Sequence, residues 1–157
     1  MSPSAWIAAL LSLVVVTAQA AGHAAPAAAP KLAAHAAFDA KGRLWIAGVD
    51  GERIVLRRSD DAGRTFDAPR VVNASPEPID AGNEAGPKIA FGTRGEIYLT
   101  WTRPLAKPYT GLVRFSRSLD DGATFTAPVT VHRDASEITH AFDALGVDAD
   151  GRIFVAW

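Results

Sequence analysis

Two stretches of this chain gather side chains able to move protons, hold a cation or grip a polar ligand. One runs through Glu77, Asp80, Asn83, Glu84 and Lys88, the other through His132, Arg133, Asp134, Glu137, Thr139, His140 and Asp143. Acidic groups converging on one mouth can protonate a glycosidic oxygen or ligate a cation. A third stretch, Arg103-Pro104-Leu105-Ala106-Lys107-Pro108-Tyr109, joins two cations to an aromatic ring that suits stacking on a sugar. The candidate ligand-binding residues are therefore Glu84, Lys88, Arg103, Lys107, Tyr109, Glu137, His140 and Asp143. Plainer readings stay open: solvated links with Asp and Pro turns, and a stiff loop whose Tyr109 packs on a neighbouring element. The pairs Asp60-Asp61 and Asp120-Asp121 and the stretch Asp148 to Asp150 read as turns, because none has the ligand count of a calcium loop. No His pair has zinc spacing, so neither a metal nor a cofactor is expected. Asn73-Ala74-Ser75 fits a glycosylation acceptor, a pattern common by chance.

The elements that must position these residues repeat. Ser59-Asp60-Asp61-Ala62-Gly63-Arg64-Thr65-Phe66 returns as Ser118-Leu119-Asp120-Asp121-Gly122-Ala123-Thr124-Phe125, 59 positions later, and both copies fit S-x-D-x-G-x-T-F. Upstream of each box lies an apolar block opened by a turn, at Phe38 to Ala47 and Phe91 to Trp101, with a third copy at Val147 to Trp157. Units of roughly 50–60 residues suffice for four short strands and their turns. Helix signals are absent after the leader, and short blocks rich in Val, Ile, Phe, Tyr and Trp predict an all-β chain. The predicted strands are near 34–38, then 43–49, 53–58 and 68–72, then 88–91, 96–102, 112–117 and 127–132, then near 143–147 and from 152 onward. Tight turns ending in Gly42, Gly95 and Gly151 join the first two strands of each unit, since Gly alone takes a left-handed position without strain. The boxes join the last two: Ser59, Asp61, Gly63, Thr65 and Phe66, with Ser118, Asp120, Gly122, Thr124 and Phe125, are structural residues in which Asp accepts turn amides and Phe plugs into apolar packing. Antiparallel order places these turns at one end and the three chemically rich stretches at the other. Trp101 and Trp157 occupy equivalent positions and read as core.

Ala5 to Thr17 is an uncharged apolar run with Ala18-Gln19-Ala20 behind it, the pattern of a cleaved secretory signal over 1–20 and too short for a stable membrane span. Residues 21–34, nearly all Ala, Pro and Gly, form a leader, and 35–157 the folded part, with units near 35–72, 88–132 and 143–157. Export to a periplasm or the medium is expected. The chain has no cysteine, and its net charge of −1 is interspersed, so no nucleic-acid footprint is expected.

The boxes carry a resemblance. S-x-D-x-G-x-T-F is the Asp-box, or bacterial neuraminidase repeat, and residues 35–157 resemble the Asp-box sialidase-like β-propellers. The resemblance implies four-stranded antiparallel blades, about two and a half of six being present, with the rest of the propeller supplied by later blades. It also implies an exported, retaining sialidase-like glycoside hydrolase acting on glycans, or alternatively a non-catalytic propeller binding glycan or protein. Ile54-Val55-Leu56-Arg57-Arg58-Ser59 is similar to the family segment that follows the acid/base loop, which makes Asp50 the candidate catalytic acid/base. A turn aspartate before Gly51 is the plainer role. The match is incomplete: the family's Arg-Ile-Pro motif has no counterpart in 30–38, and Ala47-Gly48-Val49 lacks the second arginine that would grip a carboxylate.

Overall fold

A computed structural model describes residues 33–82, 85–134 and 136–157. The expected signal sequence and most of the expected leader fall outside the described residues, as does the candidate Glu84. The described chain is all-β and contains no α-helix. Strands β1 (Ala34–Phe38), β2 (Leu44–Asp50), β3 (Arg53–Ser59) and β4 (Arg70–Val71) pair in sequence order as one antiparallel sheet. Strands β5 (Lys88–Phe91), β6 (Ile97–Pro104), β7 (Gly111–Ser118) and β8 (Val129–Thr130) form a second sheet of the same order. Strands β9 (Ala144–Val147) and β10 (Ile153–Ala156) form an antiparallel pair. Ala34 opens β1, in keeping with the strand expected near 34–38, and Ala33 is buried against Gly86.

The turns follow the sequence pattern. Gly42, Gly95 and Gly151 are left-handed, with φ of 74°, 91° and 80°, and each donates its amide to the carbonyl three residues back. The boxes are near copies of one another. Asp61 accepts from the Thr65 amide (2.8 Å), the Thr65 hydroxyl (2.7 Å) and the Ser59 hydroxyl (2.7 Å). Asp120 accepts from the corresponding groups of Thr124 and Ser118. These donors hold both carboxyls down at about 2, led by the Thr65 amide for Asp61 and by the Thr124 hydroxyl for Asp120. Both box phenylalanines are half-buried rather than fully inserted; Phe125 packs on the core and Phe66 lies under Arg57.

Strands β4 and β8 are two residues long, shorter than 68–72 and 127–132. Side chains take over the ladder on either side of them. Asp67 accepts the Arg58 amide at 2.7 Å, and Asn73 accepts the Ile54 amide at 2.6 Å. In the second sheet Thr126 accepts from Arg117 and His132 Nε2 accepts from Val113, at 3.2 and 3.1 Å. A backbone pair replaced by a side-chain acceptor satisfies the strand but ends its regular pairing. The same replacement removes Asn73 as a glycosylation acceptor in the folded chain: it is fully buried, and its amide nitrogen also donates to the Glu52 carbonyl.

Alternation gives each sheet two faces. Trp45, Ala47, Ile54 and Leu56 on the first sheet pack on Ile89, Phe91, Ile97, Leu99 and Trp101 of the second. On the second sheet's other face, Tyr98, Thr100, Thr102 and Val113 are buried, and β9 packs against β5 and β6. The first sheet is also clamped to the second box: Arg43 bridges Asp39 (2.6 Å) and Asp121 (2.7 Å), and lies over Trp45.

Candidate functional site

The end opposite the boxes is built from the β2–β3 and β6–β7 connections and from the links entering β5 and β9. Asp50 closes β2 beside a two-residue turn, Gly51-Glu52, with Gly51 left-handed at φ 57°. That turn needs glycine at its first position, which explains why Asp50 precedes a glycine. The Asp50 carboxylate is exposed, at this end, and no other candidate contacts it through a described bond.

The β6–β7 connection is held from within. The Lys107 carbonyl accepts both the amide (3.2 Å) and the hydroxyl (2.7 Å) of Thr110, and the Leu105 amide donates to the Thr110 carbonyl. This closure pushes Tyr109 into a left-handed backbone, φ 61°, with its side chain 77% exposed. The alternative in which Tyr109 packs on a neighbouring element is thereby corrected: the tight turn aims the ring at solvent. Lys107 reaches Glu137 at 3.2 Å, tying this loop to the link before β9. Arg103 is exposed on the rim. The loop also abuts the link closely at Gly111, where a Cβ would stand 2.9 Å from the His140 carbonyl oxygen.

The link entering β9 dives inward beneath this rim. His140 and Asp143 are buried, at 7% and 1% exposed. The His140 ring lies tilted against His132, ring centroids 3.8 Å apart, and meets the edge of Trp157 at 6.3 Å. Trp157 is 48% exposed, whereas its equivalent Trp101 is fully buried, as expected of a core tryptophan, with its indole donating to Glu77 at 2.8 Å. Asp143 faces Thr100 and Thr102, both buried on the second sheet, with the Lys88 ammonium nearby. Among the described residues neither Asp143 oxygen nor either hydroxyl makes a well-aligned hydrogen bond, although the two hydroxyls face the carboxyl. Burial raises the Asp143 carboxyl above the ordinary carboxylate range; the hydroxyls and Lys88 pull the other way and do not offset it. Lys88 donates to the Gly86 carbonyl at 2.7 Å.

The structure thus brings Lys107 to Glu137, the β6–β7 loop to His140, and Lys88 to Asp143. It sets Asp50 and Arg103 apart on the surface. His132 serves the sheet edge, donating from Nδ1 toward the Asp134 carbonyl (2.6 Å) while Nε2 accepts from Val113. Three residues of this end were not singled out in the sequence. Thr100 and Thr102 flank Trp101 in β6, and period-two alternation would have placed them together on one face. Phe142 is left-handed, φ 59°, and 50% exposed. Among the described non-glycine residues, φ is positive at Ala62 and Asp121, which are equivalent positions inside the boxes, and at Tyr109 and Phe142, two exposed aromatics at this end. Among the described residues no group of three or more His, Cys, Asp or Glu can hold a metal ion. The chain matches no protein-family model, and no curated protein matches it.

Proposed function

We propose that this chain is part of an exported, sialidase-like Asp-box β-propeller that acts on glycans, its two four-stranded sheets and the β9–β10 pair being successive blades. The observation that carries the glycan reading is the pair of exposed aromatics Tyr109 and Phe142 at the end opposite the boxes. A left-handed backbone costs a bulky residue about 1–2 kcal/mol, and such strain clusters where a side chain must be presented rather than packed. Flat, exposed rings at the same end as the Lys107–Glu137 pair and Arg103 suit the apolar face and hydroxyls of a sugar. Titration with neutral and sialylated oligosaccharides tests this reading. Tyr109→Ala is expected to weaken binding about tenfold, roughly 1.4 kcal/mol, and equal affinity in the variant would overturn it.

Hydrolysis would use Asp50, exposed at the same end as the aromatics, as proton donor. The two missing arginines weigh against a carboxylated sugar and leave binding without turnover as the other form of this function. Release from a fluorogenic sialoside beside a panel of neutral glycosides, with Asp50→Ala in parallel, separates them: turnover lost in the variant supports hydrolysis, and silence on every substrate supports binding alone.

A further inference from the structure

One position does the same task in both four-stranded sheets with different chemistry. In the first, the buried Ile54 amide donates to Asn73 Oδ1 at 2.6 Å, beside a backbone bond from the Val72 amide to the Ile54 carbonyl at 2.9 Å. In the second, 59 positions later, the buried Val113 donates its amide to His132 Nε2 at 3.1 Å, beside a bond from the Val131 amide to the Val113 carbonyl at 2.9 Å. An amide oxygen accepts at any ordinary pH, but an imidazole nitrogen accepts only while it carries no hydrogen. Nε2 is the acceptor here, so the ring's hydrogen sits on Nδ1, 2.6 Å from the Asp134 carbonyl oxygen. A second proton would set Nε2–H against the Val113 N–H and leave that buried donor without its acceptor. His132 fastens the link that leads to β9. Further along it come Glu137, paired with Lys107 of the β6–β7 loop at 3.2 Å, then His140 and Asp143. The buried His140 ring lies 3.8 Å from His132 between centroids, so protons on both would set two cations face to face. The carboxylate of Asp134 is within electrostatic reach of both rings. Arg133 and Glu137 are the other charged residues of the link near them, Lys107 comes from the β6–β7 loop and Asp143 from the entry to β9. Against the His132 ring β7 presents Val113, and Trp157 lies 5.6 Å away; neither titrates.

We propose that His132 is a proton-operated fastener: the neutral ring holds the link to β7, and the protonated ring releases it, loosening the end of the molecule that carries Glu137 and His140. The attached ring cannot take the second proton without losing the Val113 bond, whereas a free imidazole takes it near pH 6.5. Attachment is therefore full above that pH and is lost as pH falls below it. For one proton, the ratio of released to attached link rises about 25-fold from pH 7 to pH 5. The consequence for sugar binding rests on the glycan reading. The fastener does not, because it is measured with no glycan present, so either can fail without the other.

The test is amide hydrogen exchange of the full chain, read residue by residue by NMR at pH 7 and pH 5 and expressed as protection relative to the intrinsic rate at each pH. A local readout is needed because His35 Nδ1 also accepts an amide, that of Ile89 at 3.0 Å, and a melting temperature would mix the two histidines. In the wild type, protection of Val113 is expected to fall about 25-fold from pH 7 to pH 5. Protection of Ile54, held by Asn73, is expected to stay level. His132→Asn puts the first sheet's acceptor into the second and is expected to level Val113 as well, with Ile54 protection showing that the variant is folded. Equal Val113 protection at the two pH values in the wild type overturns the proposal. So does a fall at Ile54 in step with Val113, which would mark loosening of the whole molecule, and so does an unchanged Val113 fall in folded His132→Asn. Should that variant not fold, the comparison of Val113 with Ile54 in the wild type decides alone.

Discussion

Asn73→Ala removes a side chain that stands in for a strand. Its carbonyl oxygen accepts the Ile54 amide at 2.6 Å, and its nitrogen donates to the carbonyls of Glu52 (2.9 Å) and Ser75 (3.2 Å). Ile54 is fully buried, so its N–H would have nowhere to turn. An orphaned buried donor costs about 1–3 kcal/mol, and a lost bond whose partner can reach water costs about 0.5–1.5 kcal/mol. Glu52 and Ser75 are exposed, so their carbonyls fall in the second class. The total is about 2–6 kcal/mol, and at roughly 2–4 °C per kcal/mol for a chain of this size the melting temperature should fall by about 4–24 °C. Ser75→Ala is the control: it destroys the same acceptor motif yet removes no side-chain bond of Asn73, and should stay within about 0.5 kcal/mol of wild type. The assay is urea unfolding followed by tryptophan fluorescence. An Asn73→Ala loss below about 0.5 kcal/mol would refute the accounting, because an orphaned buried amide cannot cost so little.

Other perturbations follow from the same geometry. Gly95 and Gly122 are both left-handed, but a Cβ at Gly95 meets nothing within 4 Å, while at Gly122 it meets Trp45 and Ile97 at 3.3 Å; Gly95→Ala should cost about 1 kcal/mol and Gly122→Ala about 2–4 kcal/mol in the same unfolding assay. Because Asp61 and Asp120 titrate at about 2, below their unfolded values, the stability they contribute is present above about pH 4 and disappears as pH falls toward 2. Melting temperature scanned from pH 5 to 2 should show that loss, and Asp61→Asn with Asp120→Asn should flatten it. Asp143 has the opposite sign: its raised carboxyl keeps its proton longer in the folded chain, so its contribution is full below the usual carboxylate value and fades as pH rises through the raised one. Asp143→Asn, which cannot ionise, should therefore gain stability relative to wild type on going from pH 4 to pH 7, and an unchanged difference would contradict the burial argument.

Much of the fold was legible in the residues because two signals agreed. Strand 88–91 was placed to the residue and the first strand near its observed 34–38, since a Gly-ended turn follows each and fixes where the strand stops. The boxes were legible as turns because an Asp followed by Gly, Thr and Phe leaves the backbone few alternatives. Strands β4 and β8 were overestimated because apolar residues mark packing, not pairing; Asp67, Asn73, Thr126 and His132 capture the ladder bonds instead. Their pairing was recoverable, since Asn73 and His132 lie 59 positions apart, the spacing of the boxes themselves. The candidate site was legible only in part. Sequence order placed the polar links and the Tyr109 loop at one end, and the loop's ion pair to Glu137 joins two of them. The left-handed backbone of Tyr109 and Phe142 had no signal, because nothing in their local sequence resembles the Gly or Asn that usually marks such positions. Arg43 and Asp121 were also hidden, being a contact across 78 residues between a turn of one sheet and a box of the next.

The measurement that most directly tests the central claim is an amide chemical-shift titration of the chain with an oligosaccharide panel. The account predicts perturbations concentrated in residues 103–111 and 136–143, with the box turns at 59–66 and 118–125 unmoved. Shifts confined to the boxes, or none with any glycan at millimolar concentration, would contradict it.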